Sequence, residues 1–519
     1  MNAVSAGPLN WDPYNPTYFA NPYPVFRRLR EEAPLYYNEQ YDFYAVSRFE
    51  DCERVLGDRD AFFSGRGGIL EMYKNNVPIP NGVFIFEDPP LHTIHRGVLT
   101  RVFTPKKMAE LEPQIRAFCA KALDPLVERG EFNFIEDLGK EMPMRVIGML
   151  LGIPEEDLKA VQKDVDSRIE TEPGKPRDYD GHSFIGEGFE EYIDWRMKHP
   201  SDDLMTELLN AEIVDEKGEK RRLSREEVLL FSTILAGAGN ETTNRLIGWT
   251  GKLLAEHPDQ RRQICENRAL IPQTIEEILR FEPPPPHVGR GVARDTEFHG
   301  VKIPKDSFII ALVGAANRDE RRFVNGEQFD INRERVPHLT FGYGFHVCLG
   351  NALARVEGRV ALDEILNRFP EWDVDLENAH LSCTSTVRGW ETLPAYTPKA
   401  RRGARATNGS EPASVAAADL PGAERWKVTL RTPMGPQEMT LQIERKGAAF
   451  TGRIDSPMGS ETINDGKIAG DVLSWTMSVK KPMAIKVSFE TKVQGDVMTG
   501  HAKLGMFGKS ELSGQRIPS

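Results

Sequence analysis

Residues 341–350 read FGYGFHVCLG. A lone cysteine, Cys348, stands among Gly342, Gly344 and Gly350, directly before a segment that turns helical at about Asn351. Glycines let a backbone pass close to a flat partner and place amide N–H groups around the sulfur. Those N–H groups and the helix N-terminus favour negative charge on sulfur. The spacing therefore predicts a thiolate ligand, of the kind that donates electron density to a heme iron and favours O–O cleavage. Downstream, Leu353, Val356, Val360, Ile365 and Leu366 recur at helical spacing and predict the inner face of a helix over about 351–368.

Working toward the N-terminus, Glu277 and Arg280 sit three residues apart in a helical pattern, followed by FEPPPP and then by Arg333 in FDINR. VLLFSTILAGAG follows a capping box made by Ser224 and Glu227, and it predicts a helix that runs through the core because it is apolar nearly all round. Within it AGAGNETT, 236–243, places Glu241 and Thr242 beside the small residues Ala238 and Gly239. A hydroxyl in such a helix otherwise tends to bond back to the preceding turn. Further upstream, DPPLHTIHR, 88–96, carries His92 and Arg96 on one helix face, where paired donors suit a carboxylate.

Taken together these segments resemble the cytochrome P-450 family. Phe341, Gly342, Gly344, His346, Cys348 and Gly350 match its FGxGxHxCxG signature, Glu277 and Arg280 its ExxR motif, and residues 88–96 its DPPxHxxxR segment. The resemblance spans about residues 10–398 and implies a mainly α fold, a helical core with small β-sheets, that binds heme b. It implies Cys348 as the axial iron ligand and His92, Arg96, Arg290 and His346 as donors to the heme propionates. Phe341 and the three glycines would shape the cysteine loop, and Ala238 would leave room above the heme. Thr242 and Glu241 would handle the protons that O–O cleavage consumes. Glu277, Arg280 and Arg333 would form a structural network. His95 and His287 have no such match and read as ordinary residues.

The activity implied is insertion of one atom of O2 into a C–H bond. By family position the pocket draws on 65–86, 165–190, 235–238, 286–289 and 385–387. The first of these is apolar (Ile69, Leu70, Val77, Ile79, Val83, Phe84, Ile85), so a hydrophobic substrate of terpenoid, steroid or fatty acyl type is expected. The polar stretch 171–182 reads as an access lid. No cysteine follows Cys383, so the tail holds no cysteine-ligated ferredoxin, and electrons are expected from a separate ferredoxin and its reductase. Arg96, Arg101, Lys106 and Lys107 would steer such an acidic partner. Two alternatives keep the heme without oxygenation: an isomerase, dehydratase or peroxide user, and a heme-based sensor with the tail as output module. The intact Glu241–Thr242 pair speaks against the first.

The 519 residues exceed one ordinary core. A stretch rich in Ala, Gly, Ser and Pro, 401–422, reads as a flexible linker between residues 1–400 and an all-β domain at 423–519. In the tail Met439, Leu441 and Ile443, then Leu473, Trp475, Met477 and Val479, then Ile485, Val487, Phe489 and Val493 alternate with polar residues. Asp465-Gly466, Gly470-Asp471 and Gly495-Asp496 read as turns between strands. TPMG at 432–435 recurs as SPMG, KPM and GMFG, so a repeated strand pair is expected, closed as an antiparallel barrel or packed as a sandwich. The net charge of −12 argues against nucleic acid as a partner, and five scattered cysteines argue against a disulfide or zinc scaffold. The start MNAVSAGPLNWDPYNP lacks a signal-peptide pattern, and no membrane anchor is visible, so a cytoplasmic protein is expected. GxGxxG fails at Val347, and no GxxxxGK[ST], HExxH or GxSxG occurs.

Overall fold

The computed structural model describes residues 9–159, 161–162, 174–177, 179, 189–382, 386–398, 424–432, 435–456, 459–479, 485–504 and 509–517. The expected linker, most of the expected lid, Ser385 of the pocket and the repeated Pro-Met and Gly-Met segments lie outside them. The chain divides into two compact units, residues 1–375 with 379–402, and a second that contains the tail.

The first unit is mainly helical. Four helices position the site: α1 (Leu91–Thr100), α2 (Arg225–Glu256), α3 (Ile271–Phe281) and α4 (Asn351–Arg368). α2 starts at the expected capping box, in which the Ser224 hydroxyl accepts from the Glu227 N–H while the Glu227 carboxylate accepts from the Ser224 N–H. It runs 32 residues, about 48 Å at 1.5 Å per residue. It stops at His257 because Pro258 follows and disfavours helical geometry in the residue before it. Most of α2 is buried, in keeping with its largely apolar sequence. All five residues expected on the inner face of α4 are buried.

A five-stranded mixed sheet stands beside the helices, in the order Leu35–Asn38, Phe43–Val46, Phe308–Ala311, Val288–Val292, Phe62–Phe63. Only the pair Phe43–Val46 and Phe308–Ala311 is parallel. Arg290 lies on the fourth of these strands.

The tail is a closed antiparallel barrel of eight strands: β1 (Glu424–Thr432), β2 (Gly435–Lys446), β3 (Ala449–Ser456), β4 (Gly459–Ala469), β5 (Val472–Val479), β6 (Ile485–Gln494), β7 (Val497–Leu504) and β8 (Lys509–Ile517). Closure comes from the pairing of β1 with β8, which removes both sheet edges and selects barrel over sandwich. Trp426, Leu441, Ile443, Phe450, Leu473, Trp475, Val487 and Phe489 are buried, and Trp475 stacks on Phe489 with ring centres 4.7 Å apart. An eight-stranded barrel is just wide enough for side chains to fill, and these do. Gly470 and Gly495 take left-handed geometry (φ 63° and 62°) at hairpin tips, as expected of those turns. Asp465-Gly466 is not a turn: it lies inside β4, at a register irregularity opposite Phe450. A Cβ on Gly466 would stand 2.6 Å from the Phe450 ring, so that glycine serves packing rather than a turn.

Candidate functional site

The cysteine loop is shaped by its glycines. Gly342 and Gly344 have φ of 73° and 71°, which only glycine adopts without strain. A Cβ on Gly344 would also stand 3.1 Å from the backbone of Leu56 and Gly57. The loop closes through a 2.7 Å hydrogen bond from the Cys348 N–H to the Phe341 carbonyl. The Asn351 side chain donates to the Cys348 carbonyl at 2.6 Å. Phe341 is held under the Arg355 guanidinium, 4.4 Å from the ring centre, and Arg355 is itself fixed by a bidentate pair with Glu276.

Cys348 remains open to solvent within this recess. The surrounding protein desolvates the sulfur and pushes its pKa up, while the Gly350 N–H, Arg96 and Arg355 pull it down. Desolvation is the largest of these influences and the net shift is upward, so the thiol is disposed to keep its proton until a cation takes its place.

Away from the two ends of α2 the accessible positions are Ile234, Gly237, Ala238, Gly239 and Thr242. Ile234, Ala238 and Thr242 form one i, i+4, i+8 row on a helix whose other faces are buried. Ala238 is exposed although it lies near the middle of α2. The Thr242 hydroxyl donates to the Ala238 carbonyl at 2.8 Å. Glu241 is buried, and its carboxylate accepts from Arg245 at 2.7 Å rather than facing the row. Arg245 in turn donates to the Trp390 carbonyl.

Four donors gather at the edge. His92 and His346 meet with ring centres 4.2 Å apart and planes tilted by 50°, and the Nε2 of each is buried without a hydrogen-bond partner among the described residues. Burial, then the nearby guanidinium of Arg96, pushes His92 down to about 4. Burial and Arg290 push His346 down further. Burial lowers Arg290 to about 10, and its guanidinium donates to the Gly289 carbonyl at 2.8 Å. Arg96 donates to the Val347 carbonyl. Neither arginine forms an ion pair among the described residues. Two unpaired guanidiniums and two orphaned imidazole nitrogens make a receptor for carboxylates. A soft sulfur ligand, accessible small residues in the middle of a core helix and a cationic cluster beside the cysteine loop together fit heme b with its propionates.

Behind the site, the Arg280 guanidinium donates two hydrogen bonds to the Glu277 carboxylate, both at 2.7 Å, and donates to the carbonyls of Asn317, Gly326 and Gln328. Arg333 reaches the same carboxylate at 3.2 Å. The sequence reading missed His95, Arg245, Arg355 and Glu357. Glu357 is buried on α4 with one oxygen accepting from the Thr243 hydroxyl at 3.2 Å, and burial raises it to about 8. No local pattern marks it, because its partner lies 114 residues away. Arg101, Lys106 and Lys107 are exposed just beyond α1.

Comparison with known proteins agrees with this geometry. The family model described as "Cytochrome P450" matches residues 182–386. The chain is 33% identical over 389 residues to "Putative cytochrome P450 123" of Mycobacterium tuberculosis, covering 74% of this chain and 96% of that one. Among solved structures it resembles P450BioI in complex with hexadec-9Z-enoic acid ligated acyl carrier protein (TM-score 0.66, 29% identity, 73% of this chain and 100% of that one). It also resembles CYP109E1 from Bacillus megaterium in complex with testosterone (TM-score 0.65, 27% identity, 74% and 99%).

Proposed function

The chain belongs to the cytochrome P450 family and is a heme-thiolate monooxygenase that binds heme b, and from that premise we propose that it hydroxylates a hydrophobic small molecule with electrons from a separate ferredoxin and its reductase. The observation that carries this reading is the pairing of an open Cys348 with the accessible Ile234–Ala238–Thr242 row of an otherwise buried helix. The apolar residues Leu70, Val77, Val83 and Phe84 support a hydrophobic substrate, as do the fatty acyl and steroid ligands of the two solved relatives. The exposed Arg101, Lys106 and Lys107 support an acidic redox partner. Within this proposal residues 1–400 are the monooxygenase unit, 401–422 a linker and 423–519 a separate module. No helix among the described residues is long and apolar enough to cross a membrane, and we place the protein in the cytoplasm.

When bound, heme supplies the iron at which O2 is activated. Every other role falls to side chains. Cys348 would hold the iron through Sγ. His92, Arg96, Arg290 and His346 would anchor the carboxylates, with Phe341 and the glycines of the loop, Gly342, Gly344 and Gly350, around the sulfur. Ala238 keeps a side-chain-free space. Thr242 turns its hydroxyl from the Ala238 carbonyl to hold a proton at its Oγ. Glu241 reaches that hydroxyl by releasing Arg245, whose other bond to Trp390 stays in place. Glu277, Arg280 and Arg333 hold the scaffold behind α3.

Turnover tests the reading directly. A compound panel is screened by the heme spin-state shift, and the tightest binder is incubated with ferredoxin, ferredoxin reductase and NADH. An oxygenated product is expected; a tight binder consumed without one removes the hydroxylase assignment. Thr242→Ala is expected to lower product formed per NADH oxidised at least about tenfold, because proton delivery contributes 10²-fold or more. A product-to-NADH ratio equal to that of the wild type would remove Thr242 from the proton path.

A further inference from the structure

His95 carries no role in the mechanism, yet it is the most heavily engaged histidine among the described residues. It lies on α1, fully buried, between two carboxylates. Its Nδ1 stands 2.8 Å and 3.0 Å from the two Glu87 oxygens, and its Nε2 stands 3.2 Å from Glu227 Oε1. A neutral imidazole has one N–H and would turn a lone pair toward one of these acceptors. Two ionised carboxylates, one on each ring nitrogen, call for an imidazolium.

Each carboxylate reaches a different element. Glu87 also accepts from the Gly82 N–H at 2.6 Å, so it pins the bend of the 82–87 segment. Gly82 has φ 108°, and a Cβ there would stand 3.0 Å from Leu230 on α2. Glu227 sits in the first turn of α2 and accepts from both Arg221 nitrogens at 2.7 Å and 2.8 Å. Arg221 lies on the hairpin strand Lys220–Arg222, with Asp215 3.8 Å away. Phe231 of α2 packs edge-on against the His95 ring and against Phe84 of the same segment. His92 and Arg96 flank His95 on α1.

We propose that His95 is a positioning residue of the substrate pocket: a charged tie between Glu87 and Glu227 that fastens the 82–87 segment and α1 to the first turns of α2 and so limits the bulk of the molecule the site admits. The pocket half of this inference rests on the heme reading above, while the tie itself does not. The charge state supports it. Burial alone would lower the His95 pKa from 6.5, but the hydrogen bonds to Glu227 and Glu87 reverse this and raise it to about 9. Glu227 is held well below the usual carboxylate range, where Arg221 and His95 outweigh its burial. For a raised histidine the sign is fixed: the stabilisation is complete below 6.5 and is lost as pH climbs through about 9.

The test uses full-length holoenzyme and two uncharged heme ligands, imidazole and the bulkier 4-phenylimidazole, titrated by heme absorbance from about pH 8 to about pH 10, above the ring titration of both. In the wild type the preference for the smaller ligand is expected to fall at least about fivefold across pH 9, a typical coupling between sites. His95→Gln is expected to show the lowered preference at every pH, with the step gone. A step of equal size in His95→Gln, or an unchanged preference, overturns the proposal. If His95→Gln fails to load heme, Glu227→Gln, which cuts one arm, must show the same loss. Nitrogen-15 NMR of the wild-type ferrous carbon-monoxide form at neutral pH is expected to find both His95 ring nitrogens protonated, and a neutral ring overturns the tie. Failure of the heme reading would show instead as no absorbance change with either ligand.

Discussion

Cys348→Ser is expected to yield a folded protein whose ferrous carbon-monoxide complex lacks the long-wavelength Soret band of thiolate ligation and whose product formation falls at least about a thousandfold. That loss corresponds to about 4 kcal/mol of barrier. The fold should survive because nothing around position 348 depends on sulfur. The loop closes through the backbone N–H to the Phe341 carbonyl, and Asn351 binds the backbone carbonyl. What changes is the ligand. Desolvation holds the Cys348 thiol above its ordinary value against the pull of the Gly350 N–H, Arg96 and Arg355, so its ionisation needs a bound cation, and a serine hydroxyl ionises far less readily still. A serine variant that retained the long-wavelength band, or turnover within tenfold of the wild type, would move the ligand elsewhere.

The cysteine loop was legible because its chemistry is contiguous in the chain. The same holds for Glu277 and Arg280, three residues apart on one helix, for the inner face of α4 and for the Ser224–Glu227 cap. The alternating tail segments announced strands, but no local pattern decides between barrel and sandwich. That choice rests on β1 meeting β8, a contact between the two ends of the tail. Asp465-Gly466 shows the converse: a local turn signal overruled by pairing across β3 and β4. The five-stranded sheet joins strands of two to five residues and pairs Ile309 with Tyr44, so its strands are too short and too distant in the chain for periodicity to find. His95 failed for the same reason. One carboxylate is eight residues behind it, the other 132 ahead, and only the fold brings them to the two sides of one ring. Glu241 was legible as an acid beside Thr242 but not as the partner of Arg245, although that arginine stands one helical turn on.

The second large effect belongs to the network behind α3. Glu277→Ala is expected to destabilise the chain by about 3–5 kcal/mol, as removing one partner of a buried ion pair does. Arg280 is 2% exposed and cannot turn to water. Its three carbonyl partners satisfy the N–H groups but carry no charge, so the guanidinium would stay buried without its counter-ion. Glu277 also accepts from the Asp330 N–H at 2.9 Å and from Arg333, so the same change frees the 325–333 segment that leads to the cysteine loop. Such a loss is a large fraction of a total of about 5–15 kcal/mol, and heme content should fall with it. The double variant Glu277→Ala/Arg280→Met separates the two contributions. With both charges gone it should unfold at higher denaturant concentration than Glu277→Ala alone, because the stranded charge, more than the lost attraction, sets the cost. Denaturant unfolding of the heme-loaded protein measures both variants. A single variant within about 0.5 kcal/mol of the wild type, the range of an ordinary surface change, would mean that the carbonyl cradle alone suffices for Arg280.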